Sequence, residues 1–102
     1  MTKASLSTHV LDTTTGRPAA GMRVELHRDG KVVASGVTDA DGRIRELGRE
    51  LEMGMYRIVF DTHGYAPDAF FKSLAMEIDL GPVHTHVPLL LSRYGVTSYR
   101  GS

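Results

Sequence analysis

A chain of 102 residues, 41% apolar and 24% charged, can build one domain with a modest core but not two. Twelve basic residues balance twelve acidic ones, so no net field draws the chain toward nucleic acid or an anionic membrane surface. With no cysteine, disulfides and thiolate chemistry are excluded, and no apolar run approaches the roughly 20 residues of a bilayer span.

The opening MTKASLS lacks the apolar core of a signal peptide, so the expected location is the cytoplasm. Leu6 to Leu11 is a short β-compatible run with imperfect alternation, ended by the turn-like DTTTGRPAAG of residues 12–21. Met22 to Arg28 alternates cleanly, Asp29-Gly30 supplies the two left-handed positions of a type I′ turn, and Lys31 to Val37 returns, which predicts a β-hairpin. Thr38 to Arg43 reads as a polar loop, with aspartates placed to accept backbone hydrogen bonds and Gly42 free to turn the chain. Ile44 to Glu52 has a mixed pattern, strand then loop. Tyr56, Ile58 and Phe60 alternate with Arg57, Val59 and Asp61, a strand, which Thr62 to Pro67 breaks. Asp68 to Leu74 offers an aspartate N-cap and helical spacing, predicting one or two helical turns. Met76, Ile78 and Leu80 make another strand, and Gly81-Pro82 turns the chain into His84 to Leu91, where Pro88 suits an edge or a bulge. Val96 to Arg100 completes the set. Seven or eight short strands with one short helix predict an all-β sandwich.

Chemistry concentrates in few places. His84 and His86, two apart on a strand, share a face, and their ring nitrogens suit a metal, a water or a structural hydrogen bond. Together with His9 they are a possible three-histidine zinc donor set, which the spacing permits without demanding. Arg43 and Arg45 likewise share a face, and patterning does not choose between them. The Asp39 to Arg43 loop lacks the twelve-position ligand pattern and distal glutamate of a calcium hand. No serine sits in a Gly-x-Ser-x-Gly elbow, and no glycine-rich phosphate loop is present. His27 and His63 read as ordinary surface or turn residues. The end of the chain, Tyr99-Arg100-Gly101-Ser102, gathers an aromatic, a guanidinium, a glycine and a hydroxyl directly after a strand.

Three segments, LSTHVLDTTTGRPAAG at 6–21, VTDADGRI at 37–44 and HTHVPLLLSRYGVTSYRGS at 84–102, carry a resemblance to the transthyretin-like family in its 5-hydroxyisourate hydrolase branch. YRIVFDT at 56–62 fits between them, so the resemblance spans nearly the whole chain as one hydrolase domain, residues 1–102. It implies a transthyretin-like β-sandwich assembled as a homotetramer, a dimer of dimers with active sites where the dimers meet. It also implies a small purine-derived substrate, with no cofactor and no metal. Matched motif by motif, the family's catalytic set falls on His9, Arg43, His86 and Ser102, which selects His86 over His84 and Arg43 over Arg45. Tyr99, Arg100 and His84 become substrate-binding or site-supporting positions. The implied reaction is hydrolytic opening of the six-membered ring of 5-hydroxyisourate, a step of urate degradation. Departures from the family pattern are a shorter 62–83 region, Arg93 where a proline is common, and Val96-Thr97-Ser98 where an aromatic and the reverse Ser/Thr order are common. A hormone-carrier channel, the alternative from another class, does not need the polar convergence of Arg43, His86 and Ser102.

Overall fold

In the computed structural model, which describes residues 3–101, two sheets enclose the core. The first is built on β1 (Ala4–Asp12) and β8 (His84–Leu91), which run parallel from Ser5 opposite His84 to Asp12 opposite Leu91. The other edge of β1 is shared antiparallel by β5 (Arg43–Leu51) and the two-residue β2 (Arg17–Pro18), while β9 (Val96–Ser98) pairs antiparallel with β8. The second sheet is wholly antiparallel in the order β4 (Lys31–Val37), β3 (Arg23–Arg28), β6 (Gly54–Phe60), β7 (Leu74–Leu80).

Alternation assigns the faces. Leu6, Thr8 and Val10 of β1 and Val87, Leu89 and Leu91 of β8 point into the sandwich, where they meet Val24, Leu26, Tyr56, Ile58 and Phe60 of the opposing sheet. By the same period of two, Ser5, Ser7 and His9 of β1 and His84 and His86 of β8 stand together on the outer face. The fold class expected from the sequence is the one observed, with eight strands of three or more residues and the short β2 among the described residues.

The β3–β4 hairpin turns at Asp29 (φ 53°) and Gly30 (φ 78°), both left-handed as its type requires. Three expectations change. Ile44 to Glu52 is not strand then loop: β5 runs to Leu51 as one strand whose pairing with β1 shifts register twice. These irregularities let Ile44 and Leu47, three apart, both reach the core, so strict alternation is lost from the sequence. The helical turn is at Thr62–Tyr65, not at 68–74; Asp61 caps it by accepting the Gly64 N–H at 2.9 Å. Pro67 follows at once, and the groups of the next residues are used elsewhere. Phe70 N–H donates to the Arg93 carbonyl, while the Lys72 and Phe71 carbonyls accept from His63 N–H and the Thr62 hydroxyl. Finally, Pro88 lies in an interior strand rather than at an edge. The β8–β9 ladder pairs Leu89 with Ser98, skips the position of Pro88, and resumes in the same register as a bridge between His86 and Gly101. The missing N–H thus falls where the ladder is interrupted, and the Ser98 hydroxyl donates to the Pro88 carbonyl at 2.8 Å.

Candidate active site

Arg43 owes its place to the loop before it. Asp39 accepts the backbone N–H groups of Asp41 and Arg43 at 2.9 and 3.0 Å, and the Gly42 N–H donates to the Asp39 carbonyl. Those bonds, the one to Arg43 first, hold the Asp39 carboxyl below its usual range. Gly42 sits at φ 73°, its carbonyl accepts from Val10 N–H at 2.7 Å, and a Cβ there would strike the Val10 carbonyl oxygen. The loop is thereby pinned to β1, and Arg43 pairs directly with His9.

His86 comes from the other side of β1, opposite Ser7. The Ser7 hydroxyl, only 8% exposed as a residue, lies 2.8 Å from Nδ1 of His86 and 2.8 Å from Nε2 of His84, whose Nδ1 lies 2.6 Å from the Ser5 hydroxyl. Burial first, then the positive field of Arg43 and the neighbouring His9 and His84, lowers the pKa of His86 below the ordinary imidazole value. At neutral pH the ring is therefore neutral, the state a general base needs. Arg43, Arg45, Ser7, Thr8 and His86 line a pocket of about 130 Å³ on this face. The C-terminal tail pairs beside His86: Gly101 N–H donates to the His86 carbonyl at 2.7 Å, and a Cβ on Gly101 would come within 2.8 Å of Cδ2 of the His86 ring.

The structure thus brings together His9, Arg43 and His86, with His84 one step along β8. Tyr99 and Arg100 are placed elsewhere, beside Met76, Ile78, Thr85 and Val87 in a hollow of about 250 Å³ between β7 and the tail. Ser102 lies outside the described residues. The three-histidine donor set is not assembled: no group of three or more His, Asp or Glu side chains is arranged to hold an ion among the described residues. A larger hollow of about 320 Å³ on the second sheet is lined by His27, paired with Glu25 at 3.0 Å, by Arg57, paired with Glu77 at 3.3 Å, and by Asp29 at the hairpin turn. Sequence reasoning missed Ser7 and the close approach of Gly101. The available signal for Ser7 was its position two before His9, on the same face of the same strand.

Comparison with known proteins identifies the family and the fold. A 5-hydroxyisourate hydrolase of Salmonella dublin is 41% identical over 109 residues, covering 95% of this chain and 80% of the relative. The solved 5-hydroxyisourate hydrolase of Klebsiella pneumoniae superposes with a TM-score of 0.92 at 36% identity, over 97% of this chain and 99% of that one. Sea bream transthyretin, solved in complex with thyroxine, superposes with a TM-score of 0.86 at 31% identity, over 94% and 93% of the two chains. A sequence model described as the HIUase/Transthyretin family matches residues 6–101, and this chain belongs to that family.

Proposed function

We propose that this protein hydrolyses 5-hydroxyisourate, opening its six-membered ring to give 2-oxo-4-hydroxy-4-carboxy-5-ureidoimidazoline. The observation that carries the reading is the convergence of His9, Arg43 and a neutral His86 on one sheet face, in a chain whose catalytic relatives bear that activity. His86, with His9, positions a water and takes its proton as the water oxygen adds to the ring carbonyl carbon. Arg43 donates to the carbonyl oxygen as it gains negative charge. When the tetrahedral centre collapses, the carbon–nitrogen bond breaks and the proton is returned to the departing ring nitrogen. Ser102 hydrogen-bonds the substrate or the water. No metal and no cofactor enters this scheme, since the base and the oxyanion donor are both side chains of the chain.

The working form under this reading is a homotetramer, a dimer of dimers in the cytoplasm, with the outer face of the β1–β8 sheet turned toward a second dimer. The test is the ultraviolet decay of freshly generated 5-hydroxyisourate with the intact chain and with His9→Ala, Arg43→Ala and His86→Ala. Intact protein should accelerate the decay. Removing Arg43 should cost about 10²–10³-fold in kcat, the worth of a single well-placed oxyanion donor. An intact chain that leaves the spontaneous decay unchanged overturns the hydrolase reading in favour of a ligand carrier.

A further inference from the structure

The hydroxyl of Ser7 has one hydrogen and two imidazole nitrogens within 2.8 Å, Nδ1 of His86 and Nε2 of His84. It can donate to only one of them, so the other ring must donate to it. The same count applies at the far end, where Nδ1 of His84 meets the Ser5 hydroxyl at 2.6 Å. Where the Ser7 hydrogen is spent on one of the two rings, the four groups form a chain in which every hydrogen points the same way, and two arrangements result. In one, Ser5 donates to His84, His84 to Ser7 and Ser7 to Nδ1 of His86, which puts the ring hydrogen of His86 on Nε2. In the other, Nδ1–H of His86 donates to Ser7, Ser7 to Nε2 of His84, and Nδ1–H of His84 to Ser5. Of these two, the second leaves Nε2 of His86 unprotonated, a nitrogen with no partner among the described residues, and it alone gives the Ser7 hydrogen a path to His84.

We infer that Ser7 and His84 are a proton relay for His86, fixing its tautomer and carrying the positive charge away from Arg43 once His86 has accepted a proton. The inference rests on the hydrolase reading above. As Nε2 of His86 takes a proton from water, its Nδ1 proton passes to Ser7, and the proton of Ser7 passes to Nε2 of His84. Three protons shift by one place, Ser7 ends as a neutral hydroxyl, and His84 holds the charge. The destination is better than the origin for two reasons. His84 is exposed where His86 is half-buried, and it stands one same-face position further along β8 from the Arg43–His9 pair. Among the described residues, the other charged groups facing the relay are His9 from β1 and Arg43 and Arg45 from β5. No acid among them neutralises an imidazolium at His86. From the tail beyond β9, among the described residues, the relay meets the Gly101 backbone.

Two measurements test it. Nitrogen-15 spectra of the imidazoles should show His84 and His86 both as Nδ1–H tautomers in the neutral protein, against the Nε2–H form that free imidazole side chains favour. This readout does not depend on any substrate. Ser7→Ala should return His86 to the Nε2–H form, lower kcat about tenfold, a fraction of the roughly 10²–10⁴-fold of general base catalysis, and move the acid limb of the kcat profile to lower pH. His84→Gln, which hydrogen-bonds without titrating, should shift the limb in the same sense, and Ser7→Thr should restore both properties. A Ser7→Ala variant that loses rate with the acid limb unmoved has lost only an orienting contact, and the relay is then wrong. Nε2–H tautomers in the intact protein overturn it as well. If the tautomers are as expected but the intact chain does not turn over 5-hydroxyisourate, the hydrolase reading fails and the hydrogen-bonded chain stands as structure.

Discussion

At the scale of single residues, the site is held by contacts that leave little room for change. Gly101 is the sharpest case: its backbone bonds the His86 carbonyl and its missing side chain is what lets the tail lie against the imidazole. Gly101→Ala should push the ring or the tail by several tenths of an ångström. The expected result is a kcat loss on the order of 10–100-fold, as for small displacements of a reacting group, with a melting temperature close to that of the intact chain. Unchanged turnover by the ultraviolet assay would show that the ring absorbs the push. His84, His86 and Arg43 were legible in the sequence as candidates because histidines two apart and an arginine after an Asp-Gly turn are visible locally; the resemblance singled out His86 and added His9. The choice of Arg43 over Arg45 came from resemblance; the pairing of Arg43 with His9 now supports it. Ser7 was not legible. A serine in a strand acquires meaning only when β8 is laid alongside β1, and its bond to His86 joins residues 79 apart.

At the scale of elements, the loop of residues 38–43 behaves as a built part rather than a connector. Gly42 meets two demands at once, a left-handed backbone and contact with the Val10 carbonyl, whereas Gly16 is equally left-handed at φ 75° with open space for 4 Å around the point a Cβ would occupy. Gly16→Ala should therefore cost about 1 kcal/mol by urea denaturation, from backbone strain alone. Gly42→Ala should cost about 2–4 kcal/mol and lower turnover too, because the collision displaces the residue before Arg43. Equal costs would mean that the loop is not anchored to β1 as described. The hairpin at Asp29-Gly30 was readable because its chemistry is local. Strand β5 was not, since its register shifts are answered only by its partner, and the helical turn was misplaced because its cap, Asp61, reads as the last residue of a strand. Arg93 makes contact with the 62–83 region. Arg93 N–H donates to the Thr14 hydroxyl at 3.2 Å, a bond proline cannot make, while its carbonyl accepts from Phe70 and its guanidinium stands 3.8 Å from Asp68. This arginine ties the 66–73 segment to the end of β8.

At the scale of the molecule, the candidate site is a surface of one sheet, and the proposed assembly is what would roof it. Sedimentation equilibrium should give a mass four times the 11.2 kDa of the chain. Leu90 alternates with the buried Leu89 and Leu91 and so shares the outer face with His86. Leu90→Arg should reduce the mass and the turnover together while leaving the far-ultraviolet circular dichroism of the sheets intact. A variant that dissociates but retains full turnover would place the complete site within a smaller unit. The fold class itself was legible, because turn residues recur at short intervals between alternating runs. The parallel register of β1 on β8 was not, because nothing local encodes it. That register also has a temporal consequence. Every hydrogen bond between the serines of β1 and the histidines of β8 must wait until nearly all of the chain has been synthesised, and closing so long a loop is among the slower steps a small domain can take. A chain stalled on the ribosome before residue 84 would carry His9 and Arg43 without His86, so activity would arrive all at once with the last strands rather than build up as the chain grows.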